Sequence, residues 1–406
     1  MTCEGYKPDF PTEIIEEGKV KVLVPKLTAF VKSASEYAPS KAPVFFNPVM
    51  ELNRDIAVLA VQAYQTLVER SISICEPLTA CGLRGIRFAT EVKNVGAVVI
   101  GDINERAFEL ANCNVEMNGL NEKVTVRNEE ANSLLSSFGA PHIRFDVIDI
   151  DPFGSPVPFL DSAIRALRDG GLIALTATDM APLCGVHPRA CMRKYGGKPL
   201  RTEYCHELAV RLLAGSLTAS AAKHDIGVSV VFSHRAEHYV RVYATISYGA
   251  KNADKSIESM GYILHCFKCF HRESIEGLFT DKLSYKCVEC GEKLSVAGPL
   301  WLGRLFDVEF CKSIEKASEQ CRLRFGKQIS RMLALAEGEA ESPVSYYVVD
   351  KLCDALNLRV PAVKKVIGVL RGLGFQACLT EFHTRGFRTN ASSSHVREIV
   401  ASLASP

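Results

Sequence analysis

From Ser71 onward, short β-branched runs alternate with amphipathic helical stretches. That order leaves few folds open: successive strands must lie parallel in one sheet, with helices covering both faces. Strands are predicted at residues 71–75, 97–102, 124–127, 144–149 and 172–176, each followed by a loop and helical periodicity. A helix over 204–217 then precedes two closely spaced runs, 227–233 and 239–248, which read as an antiparallel hairpin at the sheet edge. This is an α/β domain, and 406 residues exceed what it needs, so a second domain is expected.

The texture changes past Gly249, and the second domain is placed at 251–406, after a first at 1–250. The acidic stretch Glu337, Glu339 and Glu341, next to Ser342 and Pro343, reads as a linker to a helix, helix and wing pattern over 343–406. Lysine plus arginine exceeds aspartate plus glutamate by only 2, which argues against whole-surface adhesion to nucleic acid or anionic lipid. A small basic surplus lies from Gly261 onward, where Arg322, Arg324, Lys327, Arg331, Lys364, Lys365 and Arg371 read by default as a solvated face, with phosphate contact as the alternative. No long apolar run or charged-then-apolar leader is present, so no membrane association is expected and a cytoplasmic location is. Most of the 15 cysteines, among them Cys75, Cys113 and Cys353, read as reduced core thiols.

Four cysteines are different. Cys266-x2-Cys269 and Cys287-x2-Cys290 are two knuckles separated by 17 residues, the spacing of a four-thiolate zinc ribbon, within a module at 262–295. Gly291 follows the second knuckle, where a positive φ is often required. Four thiolates leave no open coordination position, which makes the metal structural.

Three loops at strand ends carry the remaining chemistry. The first, Glu76 to Arg87, contains Gly82 and Gly85 and opens a helix, so a ligand can approach its backbone. Asp102 ends the next strand, twenty residues after Gly82, where a carboxylate can accept hydrogen bonds from ribose hydroxyls. Only two glycines, with an arginine between them, disfavour a dinucleotide. After the third strand, Glu130 and Ala131 can bracket an adenine edge. The fourth strand ends in Asp151-Pro152-Phe153-Gly154-Ser155-Pro156, the arrangement used when a methyl group is moved onto an exocyclic amino nitrogen. The lone pair of that nitrogen is delocalised into the base, and it becomes nucleophilic when an acceptor draws on its N–H. Asp151 can be the acceptor, the Pro152 carbonyl a second one, and Phe153 a stacking surface for an extruded base. The alternative is a buried turn with Asp151 capping a helix. The catalytic reading fails if Asp151 is locked in an internal ion pair facing away from the cofactor.

These motifs resemble the tRNA (guanine(26)-N2)-dimethyltransferase family. The similarity runs close to full length through Val44-Phe45-Phe46-Asn47-Pro48, Leu52-Asn53-Arg54-Asp55, the Gly82 to Arg87 loop, Asp102, the Asp151 to Pro156 loop, Arg193-Lys194-Tyr195-Gly196, the cysteine pairs and Gly298-Pro299-Leu300-Trp301. The resemblance implies a Rossmann-like class I methyltransferase sheet using S-adenosyl-L-methionine, with a smaller α+β C-terminal domain that carries the zinc ribbon-type cluster and binds tRNA. It implies that an N-terminal arm, 1–60, contributes to the site: Arg54 with Arg84 at the methionine end of the cofactor and Phe45 as a second aromatic wall. Asp102 is implied at the ribose, Glu130 and Ala131 at the adenine. Glu130 stands where the family commonly has aspartate, and the segment from Thr380 to Asn390 departs from the family's usual wording. No obligate protein partner is evident. The rival readings are a DNA amino-methyltransferase and a non-catalytic RNA-binding protein with a vestigial methyltransferase core.

Overall fold

Alternation of strand and helix builds the predicted sheet in a computed structural model that describes residues 7–31, 39–236, 238–278, 285–321 and 323–404. A hairpin of β1 (Thr12–Glu17) and β2 (Val20–Pro25) and the helix α1 (Glu51–Val68) come first. Then β3 (Ile72–Glu76), α2 (Leu83–Glu91), β4 (Val95–Asp102), α3 (Glu105–Met117), β5 (Val124–Asn128), α4 (Ala131–Ser137), β6 (Phe145–Ile150), α5 (Leu160–Ala166) and β7 (Leu167–Ala177) alternate along the chain. After them come α6 (Met180–Leu183), α7 (Pro188–Tyr195), α8 (Cys205–Ala222) and the antiparallel pair β8 (Ile226–Arg235) and β9 (Val240–Tyr248). The seven-stranded sheet has the order β5-β4-β3-β6-β7-β9-β8. Neighbours from β5 to β7 pair parallel. Every residue of β6 is buried, as expected for a strand covered on both faces.

Strand order reverses at β3 and β6, which pair with each other while their successors β4 and β7 lie on opposite sides. The carboxyl ends at such a switch point leave a crevice for a ligand. The Glu76 loop and the Asp151 loop therefore emerge side by side.

The remainder of the chain holds α9 (Ala250–Glu258), a β11-β10-β12 sheet of β10 (Met260–His265), β11 (Arg272–Glu276) and β12 (Ser295–Trp301), and helices α10 (Val308–Glu319) and α11 (Gly326–Glu339). It ends in β13 (Tyr347–Val348), α12 (Val349–Leu356), α13 (Val363–Gly372), β14 (Ala377–Thr380), β15 (His383–Thr389) and α14 (Ser393–Ala404). Val349, Leu352, Val366, Leu370, Phe387, Val396 and Val400 form the core of this last part, which has the expected helix, helix and wing order. Two compact units result. The first is Met1–Pro152, Pro158–Leu175 and Lys312–Ser330; the second is Phe153–Val157, Thr176–Cys311 and Arg331–Pro406.

Two expectations are overturned. The acidic stretch is not a solvated linker: Glu337 and Glu339 lie in α11, and Glu339 is buried against Arg388, Thr380 and the amide of Glu381. The local sequence is polar because its partners come from β14 and β15, forty or more residues later. Cys113 is disulfide-bonded rather than a reduced core thiol, whereas Cys75 and Cys353 are free and buried.

Candidate active site

The Glu76 loop makes a sharp turn in which Ala80, a non-glycine residue, sits at φ 50° and Gly82 at φ 81°. Ala80 is held there because its amide donates to Asp102 Oδ2 at 2.9 Å, while Asp102 Oδ1 accepts from Asn104 N at 2.9 Å. A strained residue fixed by a carboxylate at the end of the neighbouring strand is a common property of ligand loops. Asp102 lies at the end of β4, where the ribose was expected. Gly85 is required for packing: a Cβ there would lie 2.3 Å from Ile100 Cγ2 and 3.0 Å from Glu76 Oε2. Buried Asn114, on α3, ties this loop to the N-terminal hairpin by donating to Cys81 O at 2.8 Å and bonding both Leu23 N and Leu23 O.

Arg84 is the centre of the site. Its buried guanidinium meets three carboxylates at the ends of β3 and β6: Glu76 at 3.3 Å, Asp149 at 3.7 Å and Asp151 in direct contact. Its Nη1 also donates to Asn53 Oδ1 at 2.9 Å. Glu76 accepts from Gly85 N and Thr79 Oγ1, and burial pushes its carboxyl up to about 8, with Asp149 and Asp151 reinforcing the rise and Arg84 opposing it. Sequence reasoning gave Glu76 no role; its signal was an acid placed last in an apolar strand.

Asp151 is thus ion-paired, to Arg84 in the first turn of α2, which follows β3 at the switch point. Only Oδ2 is engaged; Oδ1 has no hydrogen-bond partner among the described residues, and the side chain is 17% exposed. The alternative in which Asp151 caps a helix is not what the chain adopts, since no amide among the described residues bonds to it.

The arm residues are also placed. Arg54 is buried, with Nε and Nη2 each 2.6 Å from a Glu17 oxygen, and Nη1 donating to Asn47 O at 3.2 Å. Glu17, from β1, also meets the fully buried Arg87, which bonds Asp55 and Glu91 as well. Glu17 was missed because its partners Arg54 and Arg87 lie 37 and 70 residues away. Phe45 is half-buried, and it is Phe46 that is buried, with the Arg54 guanidinium 5.8 Å from its ring centre. Glu130 is the N-cap of α4: its carboxylate accepts from Ser133 N at 3.0 Å and Asn132 Nδ2 at 3.2 Å. These bonds lower its pKa despite the opposing effect of burial. Ala131 is buried beside it.

In the second unit, Phe153 is 69% exposed. The segment behind it is held firmly: Gly154 N donates to Thr178 Oγ1 at 2.7 Å, and Thr178 N to Gly154 O at 2.9 Å. Asp179 in turn accepts from the Tyr195 hydroxyl and pairs with Lys194 at 2.9 Å. The Lys194-Tyr195 motif therefore supports the loop that follows β7.

The four knuckle cysteines converge, with Sγ separations of 3.5 Å for Cys266–Cys290 and for Cys269–Cys287 and all four sulfurs within 4.8 Å of one another. Each knuckle turns through a positive φ, at Gly291 (73°) as expected and at Phe270 (63°). This donor set fits a metal ion such as zinc. Glu289, inside the second knuckle, accepts from Ser393 N and Ser393 Oγ and pairs with Arg397, which fixes α14 to the cluster.

Of the candidate phosphate contacts, Arg324, Lys327, Arg331, Lys364, Lys365 and Arg371 are exposed, Arg324 pairing with Glu51 at 3.2 Å, and Arg322 lies outside the described residues. Within the wing, Arg388 is buried, pairing with Glu207 at 3.0 Å and with Glu339, and Phe382 stacks on Tyr346. Its unusual wording serves the core.

The model of the N2,N2-dimethylguanosine tRNA methyltransferase family matches residues 18–401. The chain belongs to this family. It is 40% identical to the tRNA (guanine(26)-N(2))-dimethyltransferase of Methanobrevibacter smithii over 98% of this chain and 99% of that one. It is 36% identical to the tRNA (guanine(26)-N(2)/guanine(27)-N(2))-dimethyltransferase of Aquifex aeolicus, over 96% of each. Among solved structures it is similar to Trm1 from Pyrococcus horikoshii in complex with S-adenosyl-L-methionine, with a TM-score of 0.82, 33% identity, and coverage of 95% of this chain and 99% of that one. The chain carries a mixed α/β core with a C-terminal cysteine cluster.

Proposed function

We propose that this protein transfers methyl groups from S-adenosyl-L-methionine to the N2 amine of guanine 26 in tRNA, with Asp151 as the acceptor that makes the amine nucleophilic. The observation that carries this reading is the group of three carboxylates around one arginine at the switch point. With Glu76 held mostly protonated at neutral pH by its burial, Asp149 and Asp151 still outnumber Arg84 by one, an excess that favours a ligand bearing positive charge. The cofactor supplies an electrophilic methyl group on a sulfonium centre, and that centre is a cation.

Within this reading Arg54 and Arg84 hold the carboxylate end of the cofactor, Asp102 the ribose, and Glu130 with the Ala131 amide the adenine. Asp151 Oδ1 accepts one N–H of the guanine amine, and the Pro152 carbonyl accepts the other. Pro152 has no backbone N–H to compete for these bonds. Phe153 and Phe45 are the stacking residues for the extruded base. Residues 262–295 and 343–406 supply the tRNA-binding module, with zinc at Cys266, Cys269, Cys287 and Cys290. The exposed Lys327, Arg331, Lys364 and Lys365 neutralise phosphate, so they set the salt dependence of binding more than the rate. No helix of the described residues is long and apolar enough to cross a membrane, which accords with action on tRNA in the cytoplasm.

Incubation with unmodified tRNA and labelled cofactor, followed by mass-spectrometric nucleoside mapping, tests the substrate. Methylated N2-guanosine at position 26 is expected. Label on genomic DNA and not on tRNA would favour the DNA rival, and no heat of binding with S-adenosylhomocysteine would favour the vestigial core.

A further inference from the structure

Cys184, Cys205 and His206 form a second cluster in the second unit, sharing no residue with the four-cysteine ribbon. Their ligand atoms all lie within 4.8 Å of one another, the separation that also describes the ribbon. Cys184 is the residue at which α6 ends, and Cys205 and His206 are the first two residues of α8. The two thiols are free. Neighbouring side chains on a helix ordinarily diverge, yet here both are turned toward Cys184.

We infer that Cys184, Cys205 and His206 form a second zinc site, in which two thiolates and one imidazole leave the fourth position to water. The chemistry of the donors selects the ion. Two thiolates and an imidazole are soft to borderline ligands preferred by Zn²⁺, and two thiolate charges balance the ion. Tetrahedral bonds of about 2.3 Å to sulfur place two sulfurs about 3.8 Å apart, so the observed cluster needs to contract by no more than about 1 Å. The N-terminus of α8, 18 residues long, favours the thiolate of Cys205. An ion there would tie the end of α6 to the start of α8. Thr178 and Asp179, just before α6, hold Gly154 and Tyr195, so the tie would brace the loop that supports the Phe153 segment.

Elemental analysis of the full-length protein, purified reduced and in the presence of zinc, is the test. Wild type should carry about two zinc ions per chain. Cys184→Ser, Cys205→Ser and His206→Ala should each carry about one while keeping the wild-type far-ultraviolet circular dichroism, and Cys287→Ser should lose the other ion. About one ion in wild type, unchanged by the Cys184 and Cys205 substitutions, would overturn the inference. So would a Cys184–Cys205 disulfide found by non-reducing peptide mapping in protein holding one zinc. The wild-type count decides the matter even where a variant does not fold.

Discussion

Each unit buries arginines among carboxylates, but the charges are balanced in only one. In the second unit Arg211 and Arg388 face Glu207 and Glu339, two against two, and Arg388 also donates to the carbonyls of Pro343 and Ser345. In the first, Arg84 alone faces Glu76, Asp149 and Asp151 at the end of the sheet. A balanced network of this kind locks segments distant in sequence. An acid surplus at a switch point costs stability and makes sense where a cationic ligand completes it.

The sharpest way to break this contrast is to exchange the consequences. Asp151→Ala is expected to lower methyl transfer by roughly 10²–10⁴-fold while S-adenosylhomocysteine affinity, read by calorimetry, and denaturant stability stay near wild type. Equal loss of transfer and binding would remove Asp151 from its assigned role. Arg388→Met should do the opposite, costing roughly 3–5 kcal/mol of stability by leaving Glu207 and Glu339 buried with less compensation. The folded fraction should keep its cofactor affinity. A denaturation midpoint close to wild type would show the balanced network to be dispensable.

Smaller effects refine the comparison. Gly85→Ala places a methyl against Ile100 and should cost about 1–3 kcal/mol, seen as a lower melting temperature that the cofactor only partly restores. Glu76→Gln addresses the acid surplus. A carboxyl with a folded pKa near 8, against 4.5 unfolded, holds extra protons between those values. Folded stability therefore declines as pH rises through that window. The glutamine variant should lose that decline, gaining on the order of 3 kcal/mol over wild type at pH 8 relative to pH 5. Parallel denaturation curves at both pH values would sink the reading. Burial also pushes Glu381, in the second unit, up to about 8, so Glu381→Gln provides the matched comparison.

Several elements were legible before any coordinates. Period-two and period-3.6 patterns are local, so the five parallel strands were found to within a few residues at most ends, with β7 extending further back than its apolar run. The edge hairpin and the two cysteine knuckles were equally visible, because a turn and a ligand spacing are written in consecutive residues. Asp102 and Asp151 could be named for the same reason: each ends a strand.

What the chain alone determined, then, was the sheet, the positions of its loop ends and the chemistry available there. Tertiary structure decided the partners. It paired Arg54 with Glu17 across 37 residues and Arg388 with Glu207 across 181, turned an acidic stretch into core, and brought Cys184 to Cys205 and His206. Backbone periodicity is set by neighbours along the chain, whereas a buried charge is stabilised by whichever opposite charge the packing delivers, and sequence distance carries no record of that.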